Sequence, residues 1–218
     1  MNRIDLFGLD IAIPRKRILE RLRLRPGAVV DPALMGDVDR TMSAAAALCD
    51  IRVRAAWLDV AVADGLLRFE SMPPVESAAL ASVLQKSGRA AIIAVTAGEA
   101  IVSAIRRLSE TGDMTSAVIH DATGSEMAEA AAAGAWKRLS AGLARQGLRL
   151  TRRFSPGYGD LPVLWHHDVH AALRLAELGI SITERGMIVP EKSTISVSGV
   201  IPAAGGASGG ESEEDSDS

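Results

Sequence analysis

Residues 51–69 read IRVRAAWLDVAVADGLLRF. Val53, Ala55 and Trp57, then Val60 and Val62, carry the apolar positions of an extended segment; Asp64-Gly65 supplies a tight-turn pair, and Leu66 to Phe69 reads as the return strand. This is the clearest antiparallel signal in the chain, and it sets the frame for the segments on either side. Upstream, residues 2–13 alternate loosely between apolar and polar as an extended entry, and Pro14 stands where a proline suits the first turn of a helix running to about Leu24. Asp31 before Pro32 gives a second cap-plus-proline start, with Leu34, Met35, Val38, Met42, Ala45 and Ala46 at helical spacing up to about Asp50.

Downstream of the hairpin, Pro73-Pro74 precedes a helix expected to reach Ser87 and close at Gly88, and Ala90 to Val95 is a buried-strand segment. Gly98 opens a helix to about Glu110. Asp113 to Gln146 reads as one long or broken helix with a smooth face of Met127, Ala130, Ala131, Gly134 and Leu139. Pro162 to Leu178 is expected as a single helix closed at Gly179, followed by strands over Ile180 to Thr183, Ile188 to Val189 and Thr194 to Ile201. The fold class that follows is α/β in the α+β sense: a twisted, mainly antiparallel sheet with packed helices. Residues 1–201 form one domain on this reading. Residues 202–218 are Gly, Ala, Ser and acid with no large apolar side chain beyond Pro202, and are expected to be a disordered acidic tail.

Bulk properties exclude several classes. The 218 residues are 48% hydrophobic and 23% charged, ordinary for a globular chain, and the net charge is −3. Five acids fall in the last eight residues, so the remainder carries +2 and is nearly neutral. Neither nucleic acid nor an anionic membrane is implied by such a balance. The Arg15–Arg25 stretch keeps Ile18, Leu19 and Leu22 on one helical face and reads as a solvated amphipathic helix. No apolar run is long enough to span a bilayer, and Met1–Ala12 does not have the layout of a secretory signal, which points to the cytoplasm. The one cysteine, Cys49, reads as a small apolar residue on a helix.

The chemistry-bearing stretch is Arg152-Arg153-Phe154-Ser155-Pro156-Gly157-Tyr158-Gly159-Asp160-Leu161-Pro162. Two prolines and two glycines give it a fixed shape, so its backbone can lie against a flat heterocycle. Arg153 offers a permanently charged fork suited to a carboxylate, and Tyr158 a ring to stack or a hydroxyl to donate. On composition alone the same loop also reads as a rigid connection bearing a surface arginine. His166, His167 and His170 cluster with Asp168, but there is no His-Glu-x-x-His motif and no identifiable third ligand, so no metal site is assigned and the cluster reads as solvated or structural. Ala94 to Gly98 has no glycine-rich phosphate pattern, and no serine has a hydrolase setting.

Arg153-Phe154-Ser155-Pro156-Gly157-Tyr158 resembles the Arg-x-x-x-Gly-Tyr signature of the activation domain of cobalamin-dependent methionine synthase. Ile182-Thr183-Glu184 with Met187, Pro190, Ser193, Ser196, Val197, Ser198 and Gly199 resembles a second motif of that family, and His120–Glu126 with Met127–Ala130 resembles, more weakly, the helix before the signature. The resemblance implies S-adenosylmethionine as the bound cofactor. It would be presented to a cobalamin carried by a partner: a corrinoid protein, or a methionine synthase lacking its own activation domain, with a flavoprotein as candidate reductant. It further implies that Arg153 pairs with the methionyl carboxylate, that Ser155, Pro156 and Gly157 line the adenosyl side, that Tyr158 faces the corrin in a catalytic position, and that Glu129 lies near the pocket. The family's early acidic contact and its aromatic pair after the last strand have no counterpart here. The competing expectation is therefore an interaction protein that keeps the fold without the ligand.

Overall fold

The computed structural model describes residues 2–6, 9, 11–24 and 31–203. Its centre is β2 (Arg52–Ala63), a 12-residue strand that serves two partners on one edge. Its first half pairs with β1 (Asn2–Asp5), Asn2 opposite Trp57, and its last residues pair with β3 (Leu66–Phe69) across the Asp64-Gly65 turn. Both turn residues take positive φ, 49° at Asp64 and 79° at Gly65, as the hairpin pair requires. On the other edge β2 pairs with β5 (Arg89–Thr96), β5 with β9 (Ser193–Pro202), and β9 with β6 (Leu148–Leu150). With β4 (Val75–Glu76) outside β3, the sheet runs β4-β3-β2-β5-β9-β6, and every pairing is antiparallel. The mixed helix and antiparallel-sheet class read from the sequence is the one found. The last long strand in sequence thus sits inside the sheet. It continues through Pro202, and Ala203 N–H still bonds to Gly147 O at 2.8 Å, so the first two residues of the expected 202–218 tail are held by backbone pairing instead; residues 204–218 lie outside the described residues.

Alternation along β5 and β9 sends side chains to two cores. Ala90, Ile92, Ile195 and Val197 join Leu58, Leu80, Leu84 and Trp165 under α3 (Ala78–Leu84) and α6 (Trp165–Leu173). Ala91, Ile93, Val95 and Val200 face the opposite side, where α5 (Met114–Ala144) lays Ala131, Ala132 and Ala135 on the sheet. Small side chains let this 31-residue helix, about 46 Å long, approach closely. Outside it, α1 (Arg15–Arg21) and α2 (Pro32–Ala47) pack on Ile119 and Ala122, and α4 (Glu99–Glu110) packs Ile101 and Val102 near Ala128. Gly124 makes the last contact feasible: a Cβ there would stand 3.0 Å from Ile101 Cγ1 and 3.2 Å from Lys192 Cγ. No helix among the described residues is long and apolar enough to cross a membrane.

Two expectations are corrected. The helix foreseen over Pro162 to Leu178 is broken: α6 ends at Leu173, Arg174 turns left-handed with φ 51°, and Leu175–Leu178 form a 3-10 turn. The cause is Arg54 of β2. Its buried guanidinium donates to the carbonyls of Leu173 and Arg174 at 3.0 and 2.9 Å, taking acceptors that a continuing helix would use for itself. The helix after Pro73-Pro74 begins later than expected, because Val75–Glu76 pair as β4 with β3 and the Ser77 side chain then accepts from Leu80 N–H as an N-cap.

Candidate functional site

The Arg152–Pro162 stretch leaves β6 and is fastened at three points. Phe154 exchanges two backbone hydrogen bonds with Val197 of β9, 2.9 and 2.7 Å, and its ring is buried beneath the guanidinium of Arg152, 5.4 Å from the ring centre. Pro156 is buried, and the turn beyond it closes through Gly157 N–H to Leu161 O, 2.9 Å, with Gly157 at φ 87°. Asp160 then caps α3 from outside that helix: Oδ1 accepts from Ser77 Oγ–H at 2.5 Å and from Ala79 N–H at 3.1 Å, and Oδ2 from Ala78 N–H at 2.7 Å. The Ser77 hydroxyl and the backbone donors beside Asp160 hold its carboxyl below the usual carboxylate range.

This fastening opens a cavity of about 460 Å³ between the loop, α5 and β9, lined by Glu129, Arg152, Arg153, Ser155, Thr194 and Ser196 together with Phe154 and Tyr158. The volume is within the range of small-molecule sites. Glu129 Oε2 accepts from Arg153 Nη2 at 3.1 Å, so opposite charges from α5 and the loop meet inside the lining. Tyr158 is 69% exposed, an outward-facing ring beside the opening. Ser196 is only 3% exposed, and its Oγ has no hydrogen-bond partner. Along the same side of α5, Lys192 Nζ bonds Asp121 Oδ1 at 2.6 Å and Ser125 Oγ at 3.0 Å, which clips the start of β9 to the helix one and two turns before Glu129.

Of the six positions singled out from the sequence, Arg153, Ser155, Tyr158 and Glu129 come together around the cavity, whereas Pro156 and Gly157 shape the loop and stay outside the lining. Thr194 and Ser196 are not among the expected site residues: Ser196 belongs to the second motif, and Thr194 enters the sequence reading only as the start of the last strand. Their presence follows from strand alternation, which turns 194, 196 and 198 away from the Ile195–Val197 core face. The weaker motif on α5 is chiefly structural: His120 Nδ1 bonds Ser116 O at 2.8 Å, Thr123 Oγ–H bonds Ile119 O at 2.7 Å, and Glu126 holds Arg21 at 2.8 Å.

The fold is not confined to this chain. No protein-family model matches it, and no curated protein matches it in sequence. Among solved structures, the crystal structure of the MetH reactivation domain bound to AdoHcy superposes with a TM-score of 0.68 at 14% identity, covering 93% of this chain and 79% of that one. The chain has the fold of the MetH reactivation domain. At that identity the likeness is one of architecture. What it leaves uncovered is too short to contain any of the layers described above, so the sheet and both helical faces belong to the reactivation-domain fold.

The remaining reactive groups serve that fold. His166 is buried, bonds Gly186 O through Nδ1 at 2.7 Å, and burial lowers its pKa; His170 bonds Ile180 O through Nε2 at 2.9 Å. Together they tie α6 to the hairpin of β7 (Ser181–Ile182) and β8 (Ile188–Val189). No group of three potential metal-ligating side chains occurs among the described residues. Burial pushes the Cys49 thiol up to about 11, so at neutral pH it remains a protonated, weakly nucleophilic group.

Proposed function

We propose that this chain is an activation-type module that binds S-adenosylmethionine in the cavity between α5, the Arg152–Tyr158 stretch and β9, and serves reductive methylation of a cobalamin carried by a separate corrinoid methyltransferase. The observation that carries the reading is the Arg153–Glu129 pair inside a 460 Å³ cavity. An α-amino-acid head group carries the complementary charges, with its carboxylate matching Arg153 and its ammonium matching Glu129, and it can enter by exchanging one ion pair for two. This assigns to Glu129 the acidic contact that the sequence otherwise lacks. The structural neighbour was solved with AdoHcy, the demethylated form of the proposed ligand, which supports the choice of ligand class.

When bound, S-adenosylmethionine supplies an electrophilic sulfonium methyl group. The chain's own part is positional: Arg153 and Glu129 fix the amino-acid end, Ser155 narrows the cavity, and the exposed Tyr158 offers a flat ring to the docking partner. In this reading the electrons come from a separate reductant, with a flavoprotein as the candidate.

The test is calorimetric titration of S-adenosylmethionine and S-adenosylhomocysteine into wild type and Arg153→Ala. The reading expects binding to wild type and a loss of about 1.5–3 kcal/mol in the variant, the worth of a charge-assisted contact. Absence of heat at millimolar ligand, with and without a corrinoid protein, would overturn it. The interaction-protein reading draws on one feature, that Glu129 already satisfies Arg153; it expects corrinoid-protein capture that no ligand changes.

A further inference from the structure

Ser196 and Ser198 stand two residues apart on β9, both buried and both turned toward α5. Neither hydroxyl has a hydrogen-bond partner. They differ in one respect: Ser196 borders the cavity that holds Arg153 and Glu129, and Ser198 does not. A buried hydroxyl without a partner disfavours the folded state, because water would have bonded it in the unfolded chain. At Ser198 that cost has no visible return. Ser196 instead borders space large enough for a ligand, in the same lining as the Arg153 guanidinium, and a rotation about its Cα–Cβ bond is all that the hydroxyl needs to reach it.

Resting on the ligand reading above, we infer that Ser196 is a specificity contact whose hydroxyl donates to the carboxylate of the bound amino-acid end, alongside Arg153. The geometry that supports the pairing is the bridge between Phe154 and Val197. In an antiparallel bridge the residues flanking the pair lie opposite each other, so Ser155 faces Ser196 while Arg153, on the same side of the strand, stands at the level of Ser198 and reaches the cavity through its long side chain. Phe154 and Val197 are buried in the core face, and alternation directs Arg153, Ser155 and Ser196 together toward α5 and the cavity. A hydroxyl can donate or accept, but next to Arg153 the arriving group is an anion, and toward an anion it donates. The contact also gives a role to a buried polar residue that stands opposite Ile93 in the register of β5 and β9.

The experiment measures affinity for S-adenosylhomocysteine and for 5′-methylthioadenosine, which keeps the nucleoside and sulfur and lacks the amino-acid end. Wild type, Ser196→Ala and Ser198→Ala are compared, with melting temperatures taken without ligand. Ser196→Ala is expected to weaken S-adenosylhomocysteine roughly tenfold, as loss of one charge-assisted hydrogen bond should. It should leave 5′-methylthioadenosine unchanged and melt at or above the wild-type temperature, since it removes an unmet hydroxyl. Ser198→Ala should bind as wild type does. Equal affinity of Ser196→Ala and wild type for S-adenosylhomocysteine overturns the inference while the ligand reading stands. An equal loss for both ligands overturns the carboxylate assignment, and a lowered melting temperature shows a structural partner instead. If wild type binds neither compound, the ligand reading fails and takes this inference with it.

Discussion

Glu129 and Arg153 hold each other at 3.1 Å, although they are the two charges that an amino-acid ligand would need free. Their side chains are 40% and 30% exposed, so solvent screens the pair and its worth to folding is at most about 1 kcal/mol. Glu129→Gln and Arg153→Ala are therefore expected to shift the melting temperature by no more than about 4 °C, while each weakens S-adenosylhomocysteine about tenfold or more. A thermal scan beside a titration separates the two effects. A large melting shift in either variant would mean that the pair is structural.

Asp160 links the Arg152–Pro162 loop to the N-terminus of α3, and its carboxyl is held below the ordinary range by Ser77 and the backbone donors. A lowered carboxyl pKa contributes stability that is complete above the unfolded value, near pH 4, and is lost as pH falls through the folded value. Asp160→Asn should accordingly melt below wild type at pH 7, and the difference should shrink as the pH is taken from about 4 toward 2. Paired melting curves across that window check the sign. A difference independent of pH would remove the charge from the account.

Arg54 is buried on β2 and bonds Asp5 with two nitrogens at 2.5 and 2.9 Å, Glu177 at 2.8 Å, and two backbone carbonyls. Arg54→Met leaves those carbonyls without their donor and releases β1 from its charge partner. The expected cost is about 2–3 kcal/mol, read as a shift in denaturant midpoint. Hydrogen exchange should rise first at Leu173–Leu178 and at β1, because both depend on this one side chain.

Gly199 lies where β9 passes under α3. A Cβ there would fall 2.1 Å from Ser87 Oγ and 2.9 Å from Leu84 Cδ2. Gly199→Ala should destabilise the protein by about 1–3 kcal/mol through overpacking, and Ser87→Gly in the same chain should recover a measurable part of that loss. Chemical denaturation of the two variants and the double variant closes the cycle.

Much of the architecture is legible in the amino-acid order because local chemistry and final structure agree. The Asp64-Gly65 turn, the Asp31-Pro32 start and the small-residue run of α5 each impose their element without help from distant residues. The break in α6 is illegible for the opposite reason: its cause, Arg54, is more than a hundred residues away and acts on backbone carbonyls that carry no sequence label. The two-residue strand β4 and the three-residue strand β6 are too short for a periodic pattern and exist only through their partners. At the cavity, Arg153 and Tyr158 are visible because charge and aromaticity are scarce in a loop. Ser196 is not, since a serine on a strand announces neither its burial nor its missing partner.

The position of β9 also bears on when the cavity can come into being. Thr194 and Ser196 belong to the last long strand of the sequence, yet that strand must slot between β5, about a hundred residues before it, and β6, about fifty residues before it. During translation the hairpin of β2 and β3, α4 and α5 can all form while β5 still has a bare edge. A nascent chain halted before residue 193 would present that edge to other chains and have no floor beneath Arg153. The cavity thus exists only once β9 lies beside β5, and a small molecule that fits it would act as a pharmacological chaperone, favouring the docked strand together with α5 and the Arg152–Tyr158 stretch that share its lining.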